Sequence, residues 1–385
     1  MTEQAAARVP GVVAPSVMLA AGGTGGHLFP AFALAEELAR RGIAVDLVTD
    51  MRGDRYGTGF PARKIYQIPS ATLAGKSPVA AAKTAFMLVR GIRAATKVMT
   101  DVKPAVVVGF GGYPTFPPLI AAHLKGIPTM LHEQNAVLGR ANKMLGKRVA
   151  AIATSFERTK LLEGAMLSKA RYTGNPVRDV VIEWATRPYR SSASGQTFHL
   201  LVFGGSQGAR YFSETVPQAL QLLREAQRRR LYVTQQCRAE DQAEVAATYN
   251  SAHPHIGNEV APFFKNLPEI MATSHLVIAR AGASSVAELA VMGRPSILVP
   301  LPHALDSDQL QNATRLAESG ASWCIEQKHL TAERLAAEIG RLMDAPDVLA
   351  AAAAAAKQQG RPDAVQRLAD LVVGLMVRPA QIRPV

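Results

Sequence analysis

A glycine-rich turn that ends in a histidine is the first feature of this sequence that could carry out chemistry. Positions 22 to 27 read Gly-Gly-Thr-Gly-Gly-His and follow an apolar, strand-like stretch. Glycines between a strand and a helix let a phosphate or sugar approach backbone N–H groups. A histidine there can accept a proton from an attacking hydroxyl near neutral pH. His27 is therefore a candidate general base; helix capping or ligand binding without proton transfer are the alternatives.

Two further glycine turns follow apolar strands. Positions 109–114 read Gly-Phe-Gly-Gly-Tyr-Pro, and positions 204–208 in the second half of the chain read Gly-Gly-Ser-Gln-Gly. The dinucleotide pattern Gly-x-Gly-x-x-Gly fails in the first two turns, because its third glycine is replaced by Leu28 and Pro114. Asp46 or Asp50 could still bind a ribose, so a nicotinamide enzyme stays an alternative, by analogy with the fold alone.

Two polar runs also follow strand-like stretches. His-Glu-Gln-Asn at 132–135 has no structural purpose in a core strand, and we expect it to face a polar ligand. The run at 280–288 has small residues that free a helix N-terminus to receive a diphosphate. Ser285 and Glu288 have the spacing of a capping box, which is a structural alternative, whereas Glu288 could instead bind a vicinal diol.

Strand-like and helix-like segments alternate along the chain, which predicts an α/β fold with doubly wound parallel sheets. The strand-like segments are 17–20, 44–49, 105–108, 129–132, 150–153, 200–203, 232–234, 276–279, 296–299 and 323–325. The length of 385 residues and the recurrence of the glycine turn in the second half predict two domains. We place the hinge near Gly174 to Pro176. The predicted domains are residues 1–174 and 175–362, followed by a C-terminal segment, 363–385, whose helix could pack on either domain.

The charge is distributed unevenly. The net charge is +13, and nearly all of the excess lies before residue 176, which predicts an anionic partner for that half: nucleic acid, an anionic membrane surface or an acidic substrate. Basic residues recur every seven positions from Lys76 to Lys97 on a helix that also carries apolar residues. Such a helix can lie on an anionic bilayer, and a solvated outer face is the alternative.

The sequence contains few features that indicate the cellular compartment of the protein. Cys237 and Cys324 fit no disulfide or metal framework, which favours a reducing compartment. The first residues lack the layout of a secretory signal, and no apolar stretch is long enough to span a membrane. We therefore expect a cytoplasmic protein without a membrane span.

Six motifs, in this order, resemble those of the MurG family of peptidoglycan N-acetylglucosaminyltransferases. They are the runs at 22–27, 109–113, 132–136, 173–178, 204–210 and 280–288. The resemblance implies a GT-B fold, in which two Rossmann-like domains with parallel sheets face a deep cleft, and it implies no cofactor and no metal. The implied reaction is transfer of N-acetylglucosamine from UDP-N-acetylglucosamine to the C4 hydroxyl of lipid I, which is N-acetylmuramoyl-pentapeptide on undecaprenyl diphosphate. The transfer inverts the anomeric carbon and gives lipid II.

The resemblance also implies partners and site residues. The partners would be the UDP-sugar donor, the lipid I acceptor, an anionic membrane surface at the cytoplasmic face of the plasma membrane, and cell-wall and division proteins, with no nucleic acid. His27 is our choice for general base, and Glu133 is the second catalytic candidate. The implied substrate-binding residues are Thr24, Gly25, Gly26, Tyr113, Asn135, Arg178, Ser206, Gln207, Phe264, Ala283, Ser284, Ser285, Val286, Ala287, Glu288 and Gln309.

Two other classes of function stay open at the level of sequence. A UDP-N-acetylglucosamine 2-epimerase, or a transferase for another lipid-linked sugar, would share the donor half but would not need lipid I. A nonenzymatic nucleotide-sugar sensor or a membrane scaffold in cell-wall assembly would bind the donor without needing His27.

Overall fold

Two parallel β-sheets, each covered by helices on both faces, form the framework of this protein. A computed structural model describes residues 15–22, 25–50, 59–70, 78–193, 195–205, 210–252, 256–302 and 304–377. The seven strands of the first sheet, in chain order, are β1 Ser16–Ala20, β2 Ala44–Thr49, β3 Lys64–Gln67, β4 Val106–Gly109, β5 Thr129–Glu133, β6 Ala151–Thr154 and β7 Ala170–Tyr172. The six strands of the second sheet are β8 Phe198–Phe203, β9 Leu231–Gln236, β10 Gly257–Ala261, β11 Leu276–Ala279, β12 Ser296–Leu298 and β13 Ser322–Cys324.

The spatial order of the strands explains where ligands can bind. The first sheet has the order β3-β2-β1-β4-β5-β6-β7 and the second β10-β9-β8-β11-β12-β13, and every strand pair is parallel. Strand order therefore reverses between β1 and β4 in one sheet and between β8 and β11 in the other. Ligands of such sheets bind at this reversal, outside the carboxyl ends of the strands. The four small-residue runs at 22–27, 109–114, 204–208 and 280–288 follow these four strands.

Fourteen α-helices in the described residues connect and cover the strands. They are α1 Gly25–Arg40, α2 Pro78–Val102, α3 Phe116–Leu124, α4 Arg140–Leu145, α5 Asp179–Trp184, α6 Arg210–Gln221, α7 Glu225–Arg228, α8 Gln242–Ala252, α9 Leu267–Thr273, α10 Ala283–Met292, α11 Asp308–Glu318, α12 Ala332–Met343, α13 Pro346–Gln359 and α14 Ala364–Val377. Each sheet separates two apolar clusters, one on each face. The central strands are buried on both faces, which is why they are mostly apolar runs in the sequence.

The chain passes between the sheets twice. It leaves the first sheet after β7 and begins the second domain with α5, which packs on α9 and α10. It returns between α13, which packs on α10, and α14, which packs on α1. Leu368 and Val372 of α14 are fully buried in the same cluster as Leu34 and Leu38 of α1. We call the seven-stranded sheet with α1 to α4 and α14 the first domain, and the remainder the second domain.

The predicted doubly wound parallel arrangement is confirmed. Ten strands lie within two residues of the predicted strand-like segments, whereas β3, β7 and β10 correspond to none of those segments. These three strands lie at sheet edges, and their side chains are mostly exposed or half-buried. Among the described residues, no helix has both the length and the apolar character needed to cross a membrane.

Candidate functional site

His27 lies in the first turn of α1, and its imidazole packs between two glycine turns. A methyl group placed on Gly22 would lie 3.2 Å from His27 Cδ2, and one placed on Gly112 would lie 3.3 Å from His27 Nε2. Side chains at these positions would displace the ring, so the glycines set its place as well as the shape of the turns. His27 is half-buried and the adjacent Gly26 is exposed. The imidazole therefore stands at the rim of the space above the strand-order reversal.

The turn after β4 is held in one conformation. Gly111 and Gly112 have φ values of +83° and +76°, a region that other residues rarely adopt. Thr115 Oγ1 donates to the carbonyl oxygen of Gly111 over 2.6 Å, and Phe110 N donates to Ala20 O of β1 over 2.8 Å. These bonds link the second glycine turn to the strand that leads into the first. The turn after β4 is therefore held against the end of β1, beside His27.

Glu133, the second catalytic candidate, is buried at the end of β5 and bonded to the loop that follows. Its carboxylate accepts hydrogen bonds from Asn135 N (3.0 Å), Gly139 N (2.8 Å) and Asn142 Nδ2 (2.8 Å). Burial raises the pKa of Glu133, and these hydrogen bonds act in the opposite direction. Asn142, which the sequence reasoning missed, also lies beneath Gly111, where a methyl group would approach its amide to 3.5 Å. Glu133 therefore holds the loop at 135–142 in place beneath the glycine turn that follows β4.

The neighbours of Glu133 correct one prediction. His132 is fully buried, its Nε2 lies 3.3 Å from the carbonyl oxygen of Gly174, and burial lowers its pKa to about 4. Gln134 is buried as well and donates from Nε2 to Phe110 O over 2.9 Å. The prediction that all four residues of the run face a ligand is wrong for these two, because their polar atoms connect elements within the protein. Asn135 is half-buried and faces the second domain.

Asn312 of α11 is a site residue that the sequence reasoning missed. Its Nδ2 donates to Asn135 Oδ1 (3.0 Å) and to the carbonyl oxygen of Ala281 (3.1 Å), and its Oδ1 accepts from Ala136 N (2.8 Å). The side chain is fully buried and joins the loops after β5 and β11. Its signal in the sequence is a polar residue on the buried stripe of α11, which also contains Ala313 and Leu316.

On the other side of the cleft, Arg178 and Glu288 form an ion pair. Arg178 Nη2 lies 3.2 Å from Glu288 Oε1, and the guanidinium lies 5.1 Å from the ring centroid of Phe29 in α1. Burial raises the pKa of the Glu288 carboxyl, and the adjacent guanidinium opposes that shift. Arg178 therefore contacts both domains, and it orients a carboxylate beside the N-terminal turns of α10.

The capping-box alternative for Ser285 and Glu288 is wrong. The residue that precedes α10 is Gly282, and Ser285 lies inside the first turn of the helix. The Glu288 carboxylate is directed to Arg178 instead of to a helix end. Ser284, also in the first turn, has a buried hydroxyl with no hydrogen-bond partner in the described part of the chain. The N-terminus of α10 thus presents small side chains and backbone N–H groups, an arrangement that suits an anion.

The remaining residues predicted to bind substrates lie in both domains. Gln309 accepts a hydrogen bond at Oε1 from Leu301 N over 3.0 Å, and Phe264 is buried. Tyr113 is half-buried in the turn after β4, while Gly25 is the first residue of α1. Of α10, Val286 is buried and Ala283 and Ala287 are half-buried. Thr24, Ser206 and Gln207 lie outside the described residues.

The side chains that could bind a nucleotide cofactor or a metal ion are placed as follows. Asp46, considered as a ribose-binding acid, is fully buried and pairs with Arg63 over 2.6 Å, so it is unavailable to a nucleotide. Within the described ranges, no group of three or more His, Cys, Asp or Glu side chains is arranged to hold a metal ion.

Comparison with known proteins gives a consistent result for both halves of the chain. Residues 17–154 match the model of the glycosyltransferase family 28 N-terminal domain, and residues 199–368 match that of the C-terminal domain. The chain is 51% identical over 364 residues to a protein of Rhizobium johnstonii, a match that covers 94% of this chain and 96% of the relative. It is 53% identical over 358 residues to a protein of Sinorhizobium fredii, with 92% and 94% covered. Both are called UDP-N-acetylglucosamine--N-acetylmuramyl-(pentapeptide) pyrophosphoryl-undecaprenol N-acetylglucosamine transferase.

Solved structures give the same result for the fold. The crystal structure of Acinetobacter baumannii MurG is 30% identical, with a TM-score of 0.77, and the match covers 94% of this chain and 99% of that one. A UDP-GlcNAc 2-epimerase from Neisseria meningitidis bound to UDP-GlcNAc has a TM-score of 0.65 at 14% identity, with 93% and 100% covered. At that identity the likeness concerns the fold alone.

Proposed function

The chain belongs to glycosyltransferase family 28, and we propose that it transfers N-acetylglucosamine from UDP-N-acetylglucosamine to the C4 hydroxyl of lipid I, giving lipid II and UDP. The observation that carries this proposal is identity above 50% to relatives named for this transfer, over more than nine-tenths of the chain. In this proposal residues 1–174 bind the acceptor and residues 175–362 bind the donor. The two strand-order reversals then face the two substrates.

The reaction needs one proton acceptor and one stabilised leaving group. The C4 hydroxyl oxygen attacks C1 of the donor sugar, the bond from C1 to the diphosphate oxygen breaks, and its electron pair leaves with UDP. We assign the hydroxyl proton to His27 Nε2, because the imidazole stands at the rim of the cleft between the two glycine turns. Glu133 is the less suitable base, because its carboxylate already accepts hydrogen bonds from Asn135, Gly139 and Asn142.

The donor would lie against the second domain. The N-terminus of α10 can stabilise the negative charge that develops on the leaving diphosphate through backbone N–H groups and the helix dipole. Glu288 is suited to accept hydrogen bonds from ribose hydroxyls, since Arg178 keeps its carboxylate in place at 3.2 Å. Arg178 itself contacts Phe29 of the first domain, which ties donor binding to the relative position of the two domains.

The acceptor would arrive from a membrane, and the first domain has a surface that suits this. Lys83, Arg90 and Arg93 of α2 are exposed, as are Phe86 (62%) and Val89 (47%) on the same helix. The surface continues across α3, which packs on both α2 and α4. It adds the exposed side chains of Leu124, Lys125, Lys143, Met144, Lys147 and Arg148.

Cations around exposed apolar side chains favour binding to the headgroup region of an anionic bilayer. We therefore propose peripheral attachment at the cytoplasmic face of the plasma membrane through this basic, apolar surface. Partner proteins of cell-wall synthesis and division stay a prediction from the family resemblance.

The test of the proposed function is UDP release from UDP-N-acetylglucosamine with and without a lipid I analogue, together with identification of the products. We expect release to require the analogue and the N-acetylglucosamine unit to appear on it. UDP release that does not depend on the analogue, with N-acetylmannosamine as the sugar product, would establish the epimerase alternative. Donor binding without turnover in the presence of the analogue would establish the sensor alternative.

A further inference from the structure

A cavity of about 320 Å³ lies between the two domains where the chain passes from one to the other. We call it the crossing cavity. It is lined by Ser155, Arg158, Tyr172 and Asn175 near the first passage, by Arg361 at the second, and by Arg315 of α11. Its volume is within the range of small-molecule sites, roughly 300–1,000 Å³.

The walls of the crossing cavity are fixed by direct contact between the two passages. A methyl group placed on Gly174 would lie 2.7 Å from Arg361 Cβ and 3.1 Å from Ala364 Cβ, and Gly174 has a φ of +85°. Arg361 also lies over the ring of Tyr172, with 5.3 Å from its guanidinium carbon to the ring centroid. The two chain segments are therefore packed against each other, and the cavity lies beside this contact.

The residues of α10 that line the crossing cavity lie on a different face of the helix from Glu288. Ala283, Ala287 and Ala290 line it, whereas Ser285 and Glu288 do not. These alanines and Val286 form an apolar wall that matches a short carbon skeleton. The cavity therefore lies on another face of α10 from Glu288, and it shares Ala283, Val286 and Ala287 with the residues that the family resemblance assigns to substrate binding.

Two polar side chains of the crossing cavity have no hydrogen-bond partner in the described part of the chain. Asn175 is 94% buried, and neither its Nδ2 nor its Oδ1 is bonded; Ser155 Oγ is buried and also unbonded. A buried polar atom without a partner is costly, and one that lines a cavity can form its hydrogen bond with a polar ligand bound there. Asn175 supplies a donor and an acceptor, and Ser155 supplies a hydroxyl that can do either.

The charged groups of the crossing cavity are mainly cationic. Arg361 lies 3.9 Å from Glu157, and Arg315 pairs with Glu318 outside the cavity at 2.9 Å. Arg158 has no carboxylate within 4.0 Å among the described residues. The lining contains three guanidinium groups and one carboxylate, and Arg158 is the guanidinium without a nearby carboxylate in the described ranges. This excess of positive charge favours an anion, since a guanidinium group can donate two parallel hydrogen bonds to a carboxylate or phosphate.

We propose that the crossing cavity binds a small organic anion, a hydroxy acid or a phosphorylated metabolite of a few carbons. Its charged groups are held by Arg158 of the first domain and Arg315 of the second, and its polar atoms by Asn175 and Ser155. Such a ligand bridges the two domains beside both chain passages. It therefore stabilises the domain arrangement seen here.

The experiment uses the full chain and two probes, citrate for carboxylates and inorganic phosphate for phosphoryl groups, at constant ionic strength. Binding is measured by calorimetry, with and without saturating UDP to occupy the nucleotide site. We expect millimolar or tighter binding of at least one probe with UDP present. We also expect binding at least tenfold weaker in Asn175→Ala and in Arg315→Gln.

The control variant is Arg341→Gln. Arg341 pairs with Glu338 three residues away, as Arg315 does with Glu318, but it lies outside the crossing cavity. Its removal should leave probe affinity unchanged. Thermal unfolding of each variant without probe checks folding; Asn175→Ala should fold normally, because the amide that it removes has no partner. Failure of both probes to bind, or equal affinity in the wild type, Asn175→Ala and Arg315→Gln, would overturn the proposal.

Discussion

Asn312 Nδ2 donates a hydrogen bond to Asn135 Oδ1 over 3.0 Å, and this contact joins the second domain to the loop held by Glu133. The two amides therefore couple the position of the donor half to the loop beneath the glycine turns.

Replacement of Asn312 by alanine should destabilise the protein. The change leaves Ala136 N without its acceptor and removes a donor to Ala281 O, which costs about 1–3 kcal/mol. A double-mutant cycle with Asn135→Ala, measured by urea unfolding, should give a coupling of about 0.5–3 kcal/mol. Strictly additive effects would mean that the two amides do not act together.

His27→Ala tests the proton acceptor. We expect kcat to fall by about 10²–10⁴-fold, while the affinity for UDP-N-acetylglucosamine changes little, because the imidazole acts on the acceptor hydroxyl. His329→Ala, at an exposed histidine of the second domain, is the matched control and should keep full activity. Full turnover of His27→Ala at saturating substrates would remove His27 from the mechanism.

Gly112→Ala tests whether the glycine turn sets the position of His27. The methyl group would press on the imidazole at 3.3 Å, and we expect kcat to drop about 10-fold to 100-fold in a folded protein. Gly126→Ala separates this effect from backbone strain, because Gly126 has a similar φ of +69° but no atom within 4 Å of an added methyl. An equal loss of kcat in both variants would argue against the contact with the ring.

Acid pH should lower the free energy of unfolding, because His132 binds a proton more readily in the unfolded state than in the folded state. Its pKa is about 4 in the folded state because of burial, and about 6.5 when unfolded. Between these values the unfolded state binds more protons, so the free energy of unfolding falls as the pH falls through this window, by about 1 kcal/mol between pH 7.5 and 5.5.

His132→Gln keeps a donor for Gly174 O but does not titrate. Urea unfolding at the two pH values should show this variant losing less stability on acidification than the wild type. Identical losses in both proteins would assign the pH dependence to other groups.

Removal of charge from α2 should weaken membrane binding. Each basic residue contributes about 1 kcal/mol at an anionic surface, so a variant in which Lys83, Arg90 and Arg93 are glutamine should bind anionic liposomes about 100-fold more weakly at low salt. The difference should shrink as the ionic strength rises.

The control for this experiment removes the same charge from the second domain, at the exposed residues Arg229, Lys328 and Arg334. Liposome affinity should stay at the wild-type value in this control. Equal weakening in both triple variants would indicate a general charge effect and not a membrane surface on α2.

The sequence by itself determined the sheet type, the repeated domain plan and the glycine turns. These depend on local patterns: continuous apolar runs mark strands that are buried on both faces, and glycines mark turns that other residues cannot form. The reversal in strand order then places runs 22–27 and 109–114 at one edge of a sheet. The edge strands β3, β7 and β10 cannot be predicted in this way, because strands that are half-exposed lack a continuous apolar run.

Only the tertiary structure decided what each polar side chain contacts. His132, Glu133 and Gln134 form a run that suggests a ligand, yet they bond to Gly174, to the loop at 135–142 and to Phe110. Asn312 lies 177 residues from Asn135 in sequence, and Arg178 lies 110 from Glu288. A hydrogen bond depends on atoms within about 3 Å, and no local pattern records which distant loops meet at that distance.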